Sequence, residues 1–201
     1  SEASLPAGGF SVWIGHMLGA LRDEHPADVP CGTCTACCRS SQFVHIAPDE
    51  LDTLVHVPAE LLFPAPGLPR GHVVLGYDDR GHCPMLVDDR CSIYAHRPRT
   101  CRTYDCRVFA AAGVDPDDKP LIAERSRHWE FEHEDPAATA RHAAVRAAAE
   151  FLREHDDVAG AARTSPTRLA VAAVQVHELF GSAVPGSDAV RVELRRWARR
   201  D

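Results

Sequence analysis

Eight cysteines are the residues of this chain whose type and spacing could do chemistry, and all lie between positions 31 and 106. Four stand in the run Cys31-Gly-Thr-Cys34-Thr-Ala-Cys37-Cys38, and the others are Cys83, Cys91, Cys101 and Cys106. A disulfide framework is typical of short secreted chains, whereas 201 residues are enough to bury a core without covalent cross-links. Thiols repeated at such close spacing favour metal chelation, because one turn of loop directs successive sulfurs to a common centre.

The thiols also restrict which metal they suit. An all-thiolate ligand set is soft and selects zinc, iron–sulfur clusters or Cu(I) over Mg²⁺ and Ca²⁺. Structural zinc sites usually take two separated CxxC pairs. Here CxxCxxC is one run and Cys83 is followed by Pro84, which is partly similar to the arrangement that holds a [4Fe–4S] cluster in bacterial ferredoxins. We therefore favour an iron–sulfur cluster, with zinc as the alternative cofactor.

The number of metal centres stays open at this point. Cys37 and Cys38 are adjacent, and neighbouring side chains tend to diverge. One of them would then serve a first site and the other a second. Eight thiolates divide naturally into four and four, so the sequence is compatible with one centre or with two.

The cysteine pattern is similar to that of the YkgJ-like cysteine-cluster family over about residues 28–110. The features that carry the resemblance are CxxCxxCC followed by Arg39, Cys83-Pro-Met-Leu, Cys91-Ser-Ile-Tyr, Arg97-Pro98 and Cys101-Arg-Thr-Tyr-Asp-Cys106. The domain of that family is described as zinc- or iron-chelating, and a related cysteine cluster occurs in the flagellin lysine N-methylase. The resemblance implies a metal site to which all eight cysteines belong.

Composition limits the other classes of function. The formal charge is −7 and the estimated pI is near 5.9, whereas nucleic-acid binding needs a broad basic surface, so we expect no nucleic-acid partner. The N-terminal apolar runs are too short for a signal peptide or a spanning helix, so we expect no membrane association. Thiols with chelating spacing need a reducing environment, and we expect the protein in the cytoplasm.

The segments that must position the cysteines predict a small cysteine-rich α+β domain. Residues 10–22 carry apolar side chains at helical spacing and predict an amphipathic N-terminal helix. Residues 72–94 predict a short antiparallel β-meander with tight turns, which would place Cys83 and Cys91 on neighbouring strands. A helical turn that begins at a proline then carries Cys101.

Beyond residue 135 the sequence becomes rich in alanine and predicts a helical C-terminal region. Apolar stripes recur there at helical spacing, and Ser165-Pro166 is typical of a helix start. We expect residues 1–135 to form the cysteine-cluster metal-binding domain with its N-terminal helix, and residues 136–201 to form a helical region packed on it. The short apolar stripes also fit a protein partner or a homo-oligomer formed through these helices.

Arginine and histidine surround the cysteines in the sequence. Arg39 follows the first run. Five more arginines lie around the last three cysteines, namely Arg90, Arg97, Arg99, Arg102 and Arg107. Guanidinium groups near a thiolate centre would offset its negative charge and lower thiol pKa values. The histidines closest to cysteines are His45, His82 and His96. With eight thiols present, we interpret them as packed or exposed side chains rather than ligands.

Two classes of function fit these residues. In the first, metal holds an irregular fold together or is carried by it, as in a structural or metal-carrying module. In the second, an iron–sulfur centre supports redox or protein methyl-transfer chemistry, as the similarity to the flagellin lysine N-methylase implies. The chain has no Gly-rich loop after a strand for S-adenosylmethionine or a dinucleotide, no CxxxCxxC motif and no convincing nucleophile–base pair. We therefore predict the first class, and no catalytic residue is assigned.

Overall fold

The structure is a computed structural model that describes residues 4–22, 24–25, 27, 29 and 31–198. Contacts divide the chain into two compact units, which are described separately below. The cysteine unit is Pro26–Tyr104, and the helical unit is Ser1–His25 with Asp105–Asp201. This division differs from the boundary expected after residue 135, because the N-terminal helix groups with the C-terminal helices. The α+β class predicted from the sequence is confirmed.

The helices and strands are short in the cysteine unit and longer in the helical unit. The α-helices are α1 (Phe10–Leu21), α2 (Leu51–His56), α3 (Arg99–Thr103), α4 (Arg107–Ala112), α5 (Pro120–Arg127), α6 (Pro136–Glu154), α7 (Asp156–Ala159), α8 (Pro166–Val176) and α9 (Ser187–Ala198). The strands are β1 (Leu5–Gly9), β2 (Val44–Ile46), β3 (Leu62–Pro64), β4 (Val73–Leu75), β5 (Leu86–Val87), β6 (Arg90–Cys91) and β7 (Trp129–Glu132). Single 3₁₀ turns include Cys37–Arg39 and Tyr94–His96.

The helical unit is built on amphipathic helices whose starts are encoded locally. The side chain of Asp135 accepts a hydrogen bond from the Ala138 N–H at 2.7 Å, and a proline follows it at the first position of α6. Ser165 caps α8 in the same way. Such caps satisfy backbone donors that have no partner within the helix. The N-terminal helix and the helices predicted beyond residue 135 are confirmed.

The core of the helical unit is apolar but contains one buried ion pair. The largest fully buried side chains of this unit are Phe10, Ile14, Phe109, Ile122, Val145, Leu152, Val174, Val176 and Val190. Asp105 is buried, yet it accepts hydrogen bonds from Trp13 Nε1 at 2.8 Å and from Arg107 Nε at 3.0 Å. Arg107 also donates to the Ala7 carbonyl at 3.1 Å. Because both charges are hydrogen-bonded, their burial is tolerated.

His142 on α6 should make the helical unit sensitive to acid. Its ring stacks on Phe10 with centroids 4.3 Å apart, and burial, followed by the charges of Arg146 and His133, lowers its pKa from 6.5 to about 4. The unfolded chain therefore binds more protons than the folded one between these values. The stability that a neutral His142 contributes is complete above pH 6.5 and is lost as the pH falls towards 4. Thermal unfolding followed by circular dichroism should show this acid loss.

His142→Gln removes the group responsible, so its melting temperature should fall less over the same pH range. The matched control is His16→Gln, at an exposed position of α1. An acid loss that is as steep in His142→Gln as in the parent protein would contradict the prediction.

The cysteine unit contains a three-stranded antiparallel sheet in the order β2-β4-β3 and a separate hairpin of β5 and β6. Asp88 and Asp89 join β5 to β6 with φ angles of 48° and 59°, as a two-residue type I′ turn requires. A small apolar core lies under these strands, formed by Val44, Ile46, Val57, Leu75, Met85 and Ile93. Cys83 and Cys91 are partly buried against that core.

The predicted β-meander is wrong in two respects. Strand β4 pairs with β2 and β3 and not with β5, and Cys83 lies in the loop before β5, so that only Cys91 is on a strand. The cause lies in the turn after β4. The side chain of Asp78 accepts hydrogen bonds from two backbone N–H groups, those of Arg80 and His82. The chain then pairs with the residues that follow the first cysteine run, where the Ser41 N–H donates to the Gly81 carbonyl at 2.9 Å. The segment that would have extended the meander is therefore used to hold the run.

Among the described residues, no helix combines the length and the apolar character needed to cross a bilayer.

Candidate metal centre

The cysteines are divided between the two units. The cysteine unit contains Cys31, Cys34, Cys37, Cys38, Cys83, Cys91 and Cys101, whereas Cys106 lies in the helical unit at the start of α4. All eight are among the described residues, and no disulfide joins any two of them. The seven thiols of the cysteine unit come from a turn, a 3₁₀ turn, a loop, a strand and a short helix, so the fold brings them together from separate segments.

The first cysteine run is a sequence of tight turns. The Cys34 N–H donates to the Cys31 carbonyl at 2.9 Å, and Gly32 has a φ of 56°, which glycine adopts without steric cost. The chain then enters the 3₁₀ turn that contains Cys37 and Cys38. Arg39 closes this turn, because its side chain donates to Thr35 Oγ1 at 3.0 Å. The run therefore presents its four thiols from two successive turns.

Backbone hydrogen bonds bring Cys83 and Cys91 to the run. The Cys83 N–H donates to the Cys38 carbonyl at 2.7 Å, which joins residues far apart in the sequence. The Leu86 N–H then donates to the Cys83 carbonyl at 2.9 Å. Leu86 pairs with Cys91 across the β5–β6 hairpin. Cys38, Cys83 and Cys91 are thus positioned by the main chain.

A buried carboxylate positions Cys101. Glu50 is only 7% exposed, and its carboxylate accepts hydrogen bonds from the Ala47 N–H at 2.9 Å and from the Arg99 N–H at the start of α3. A negative charge at a helix N-terminus is favourable because it meets unpaired N–H groups and the positive end of the helix dipole. Thr100 adds a bond from its hydroxyl to the His45 carbonyl at 2.8 Å. The short helix that carries Cys101 is therefore tied to β2 and to the start of α2.

Four of the thiols form a group in which every pair interacts electrostatically, namely Cys38, Cys83, Cys91 and Cys101. We call these the four-thiol group. Burial, followed by the charges of Cys83 and Cys91, raises the pKa of Cys38 to about 11. Burial raises the pKa of Cys101 to about 12, with contributions from the other three thiols. The pKa of Cys83 is also raised, by burial and by Cys91.

These shifts indicate how the group would respond to a cation. Partly buried thiols that raise one another's pKa stay protonated at neutral pH, because several thiolates at one place repel each other. A metal supplies the missing positive charge, so binding would release protons. Four thiolates are the donor set of a tetrahedral zinc site and of a [4Fe–4S] cluster. The residues present therefore fit either cofactor.

The other cysteines stand in different surroundings. Cys34 and Cys31 also raise the Cys38 pKa, in smaller measure than Cys83 and Cys91. Cys106 is 7% exposed in the helical unit, and its sulfur accepts a hydrogen bond from Trp129 Nε1 at 3.2 Å.

The arginines near the cysteines mostly pair with carboxylates. Arg39 contacts Asp89 at the tip of the hairpin, and Arg99 contacts Asp49 at 2.9 Å. Arg97 is the exception, since its guanidinium stacks on its neighbour Tyr94, 3.6 Å from the ring centroid. Although burial dominates the raised pKa of Cys101, the charge of Arg97 acts against it. The charge balance by arginine that the sequence suggests therefore stays a prediction.

One group of residues was missed by the sequence interpretation. Asp52, His56 and His96 each offer a ligand atom, and the three atoms lie within 4.8 Å of one another. The spacing of Asp52 and His56, four positions apart, was visible in the sequence. The contact with His96 depends on tertiary structure, because this residue comes from a distant 3₁₀ turn.

Comparison with known proteins adds one finding to this geometry. A family model named CxxCxxCC, described as "Putative zinc- or iron-chelating domain", matches residues 30–133, just over half of the chain. The match begins one residue before the first cysteine and extends beyond Cys106, so it contains all eight cysteines. No curated protein and no solved structure gives a match.

Proposed function

Since the chain belongs to the CxxCxxCC family of zinc- or iron-chelating domains, we propose that its cysteine unit is a metal-binding module whose four-thiol group holds one metal centre. The observation that carries the proposal is the electrostatic coupling of every pair among Cys38, Cys83, Cys91 and Cys101. Thiols from four separate segments are placed within range of one another at a free-energy cost that a cation would offset.

The metal that we propose is iron, in a [4Fe–4S] cluster. Support comes from the four thiolates of the group, which are the donor set of such a cluster, and from Cys83-Pro84, since a cysteine followed by proline also holds a cluster in bacterial ferredoxins. A bound iron–sulfur cluster would supply one-electron chemistry or, without turnover, a rigid cross-link of the unit. The protein's contribution is the ligand set and the hydrogen-bonded main chain around it. Reduced thiols of this kind need a reducing compartment, and we place the working protein in the cytoplasm.

A second centre would draw on the other thiols of the run. Cys31, Cys34 and Cys37 come from the turns that open the unit, and Cys31 and Cys34 interact electrostatically with Cys38 of the four-thiol group. Two neighbouring centres fit a module that is held together by metal and also carries it. We propose this role over catalysis.

Anaerobic purification followed by determination of iron, zinc and acid-labile sulfide tests the proposal. We expect a brown protein with iron and sulfide in about equal amounts. A colourless protein with stoichiometric zinc would retain the metal-binding module and overturn the iron–sulfur cluster. A protein that contains neither metal, and takes up neither during anaerobic reconstitution, would overturn the proposed function as a whole.

A further inference from the structure

Asp52, His56 and His96 form a compact group within the cysteine unit and are chemically unlike the thiols. Asp52 and His56 lie on α2, four positions apart, so both face the same side of the helix. His96 ends the 3₁₀ turn Tyr94–His96. One ligand atom from each residue lies within 4.8 Å of the other two.

The geometry of the group is fixed by several contacts. His96 Nδ1 lies 2.9 Å and 3.1 Å from the two carboxylate oxygens of Asp52. His56 Nδ1 lies 2.7 Å from the Asp52 carbonyl oxygen and 3.8 Å from its carboxylate. The two imidazole rings stack with centroids 3.5 Å apart and planes 6° from parallel. The carboxylate therefore faces both rings at once.

The backbone beneath the group is anchored independently of these side chains. Thr53, beside Asp52 on α2, is 3% exposed, and its hydroxyl donates to the His96 carbonyl at 2.9 Å. This bond joins α2 to the turn that carries His96. The distance between these two backbone segments is therefore held by a contact that does not involve the three side chains.

Two imidazoles and one carboxylate are a borderline donor set. Such ligands suit Zn²⁺, Co²⁺ or Ni²⁺, whereas the thiolates of the same unit suit softer metals. The side chains of Asp52, His56 and His96 are 69%, 39% and 37% exposed, so an ion in solution can reach them. Three protein ligands also leave a fourth position for water.

We propose that Asp52, His56 and His96 bind a divalent cation of the zinc class at a site separate from the thiolates. The local charges are compatible with a cation. Asp52 supplies the negative charge of the group, and its carboxylate faces both imidazole rings. Arg102 is the opposing positive charge, and it lies 3.9 Å from the buried Glu50 carboxylate, which offsets it.

The site lies on the segment that joins two thiols of the four-thiol group. His96 lies between Cys91 and Cys101, both members of the four-thiol group. A cation bound to His96 and α2 would cross-link the segment that joins these two thiols to the rest of the unit. The site therefore extends the role of metal in this unit from the thiols to the segment that connects them.

Cobalt(II) is the probe that separates the two kinds of site. The full chain, carrying the metal found on purification, is dialysed anaerobically against Co²⁺ and the bound cobalt is counted. We expect one further equivalent whose ligand-field absorption appears without sulfur-to-cobalt charge transfer. Single variants His56→Gln, His96→Gln and Asp52→Asn should weaken this binding by about tenfold or more. The double variant with both glutamines should lose it.

The matched control is His72→Gln, in the same unit. His72 and His45 also form a stacked pair, with ring centroids 5.1 Å apart, and His72→Gln should leave cobalt binding unchanged. Circular dichroism equal to that of the parent protein checks that the variants remain folded.

Two outcomes would overturn the inference. One is that the parent protein binds no cobalt other than that marked by sulfur charge transfer. The other is that the double variant binds the additional equivalent as well as the parent does. If instead the thiols prove empty, cobalt that enters them is recognised by its charge-transfer band, so failure of the proposed thiolate centre is distinguished from failure of the histidine site.

Discussion

Removal of metal from this protein should unfold the cysteine unit while the helical unit stays folded. The elements that carry the thiols are too short to persist alone, since β5 and β6 contain two residues each and α3 contains five. Their apolar core consists of a few side chains. Metal–thiolate binding in small sites contributes roughly 10–16 kcal/mol, which is comparable with the net stability of a whole domain, about 5–15 kcal/mol.

The helical unit has no such dependence on metal. Its α6 runs for 19 residues, and it has capped helices and its own buried core. Hydrogen exchange, measured on the loaded protein and on reduced protein treated with a chelator, separates the two responses. Protection should be lost over residues 83–101 and retained over residues 136–176, and it should return when metal is restored. Equal protection of residues 83–101 in both states would mean that metal is not part of the fold.

Cys38→Ser should release the metal of the four-thiol group. The thiol of Cys38 interacts electrostatically with those of Cys83, Cys91 and Cys101. A serine hydroxyl is a poor ligand for a soft metal. Loss of one of four thiolates from a site worth roughly 10–16 kcal/mol removes about 3 kcal/mol, or about a hundredfold in affinity.

Competition with a chelator of known affinity measures this difference, with metal content per chain as the second readout. Ser41→Ala is the control because it changes an exposed side chain three positions from Cys38 and removes no thiol. Equal metal loss in the two variants, or no metal loss in Cys38→Ser, would contradict the grouping of the thiols that the structure indicates. A lower melting temperature in Cys38→Ser alone would link that grouping to stability.

The sequence by itself determined the features that depend on neighbouring residues. The starts of α6 and α8 follow from Asp135-Pro136 and Ser165-Pro166, because capping and proline preference act within one helical turn. The apolar spacing of residues 10–22 predicted α1 for the same reason. The family and its zinc- or iron-chelating character were also readable, since they depend on the order of cysteines along the chain.

Only the tertiary structure decided which thiols meet. The bond from the Cys83 N–H to the Cys38 carbonyl joins residues 45 positions apart, and it replaces the pairing with β4 that a local meander would have made. The sequence contains no local signal for such a choice, because it depends on the balance of several distant hydrogen bonds. The four-thiol group therefore takes Cys38 from the run and its other three thiols from distant segments.

The site of Asp52, His56 and His96 also depends partly on local sequence and partly on tertiary contacts. Asp52 and His56 are neighbours on a helix, and their spacing is visible in the sequence, whereas His96 was interpreted there as a packed or exposed side chain. Its place beside them is decided by the buried hydroxyl of Thr53, which bonds to the His96 carbonyl. Side-chain types and local spacing determine which ligands a chain can offer. Long-range backbone and buried polar contacts determine which of those ligands share a site, because they alone fix distances between segments far apart in the chain.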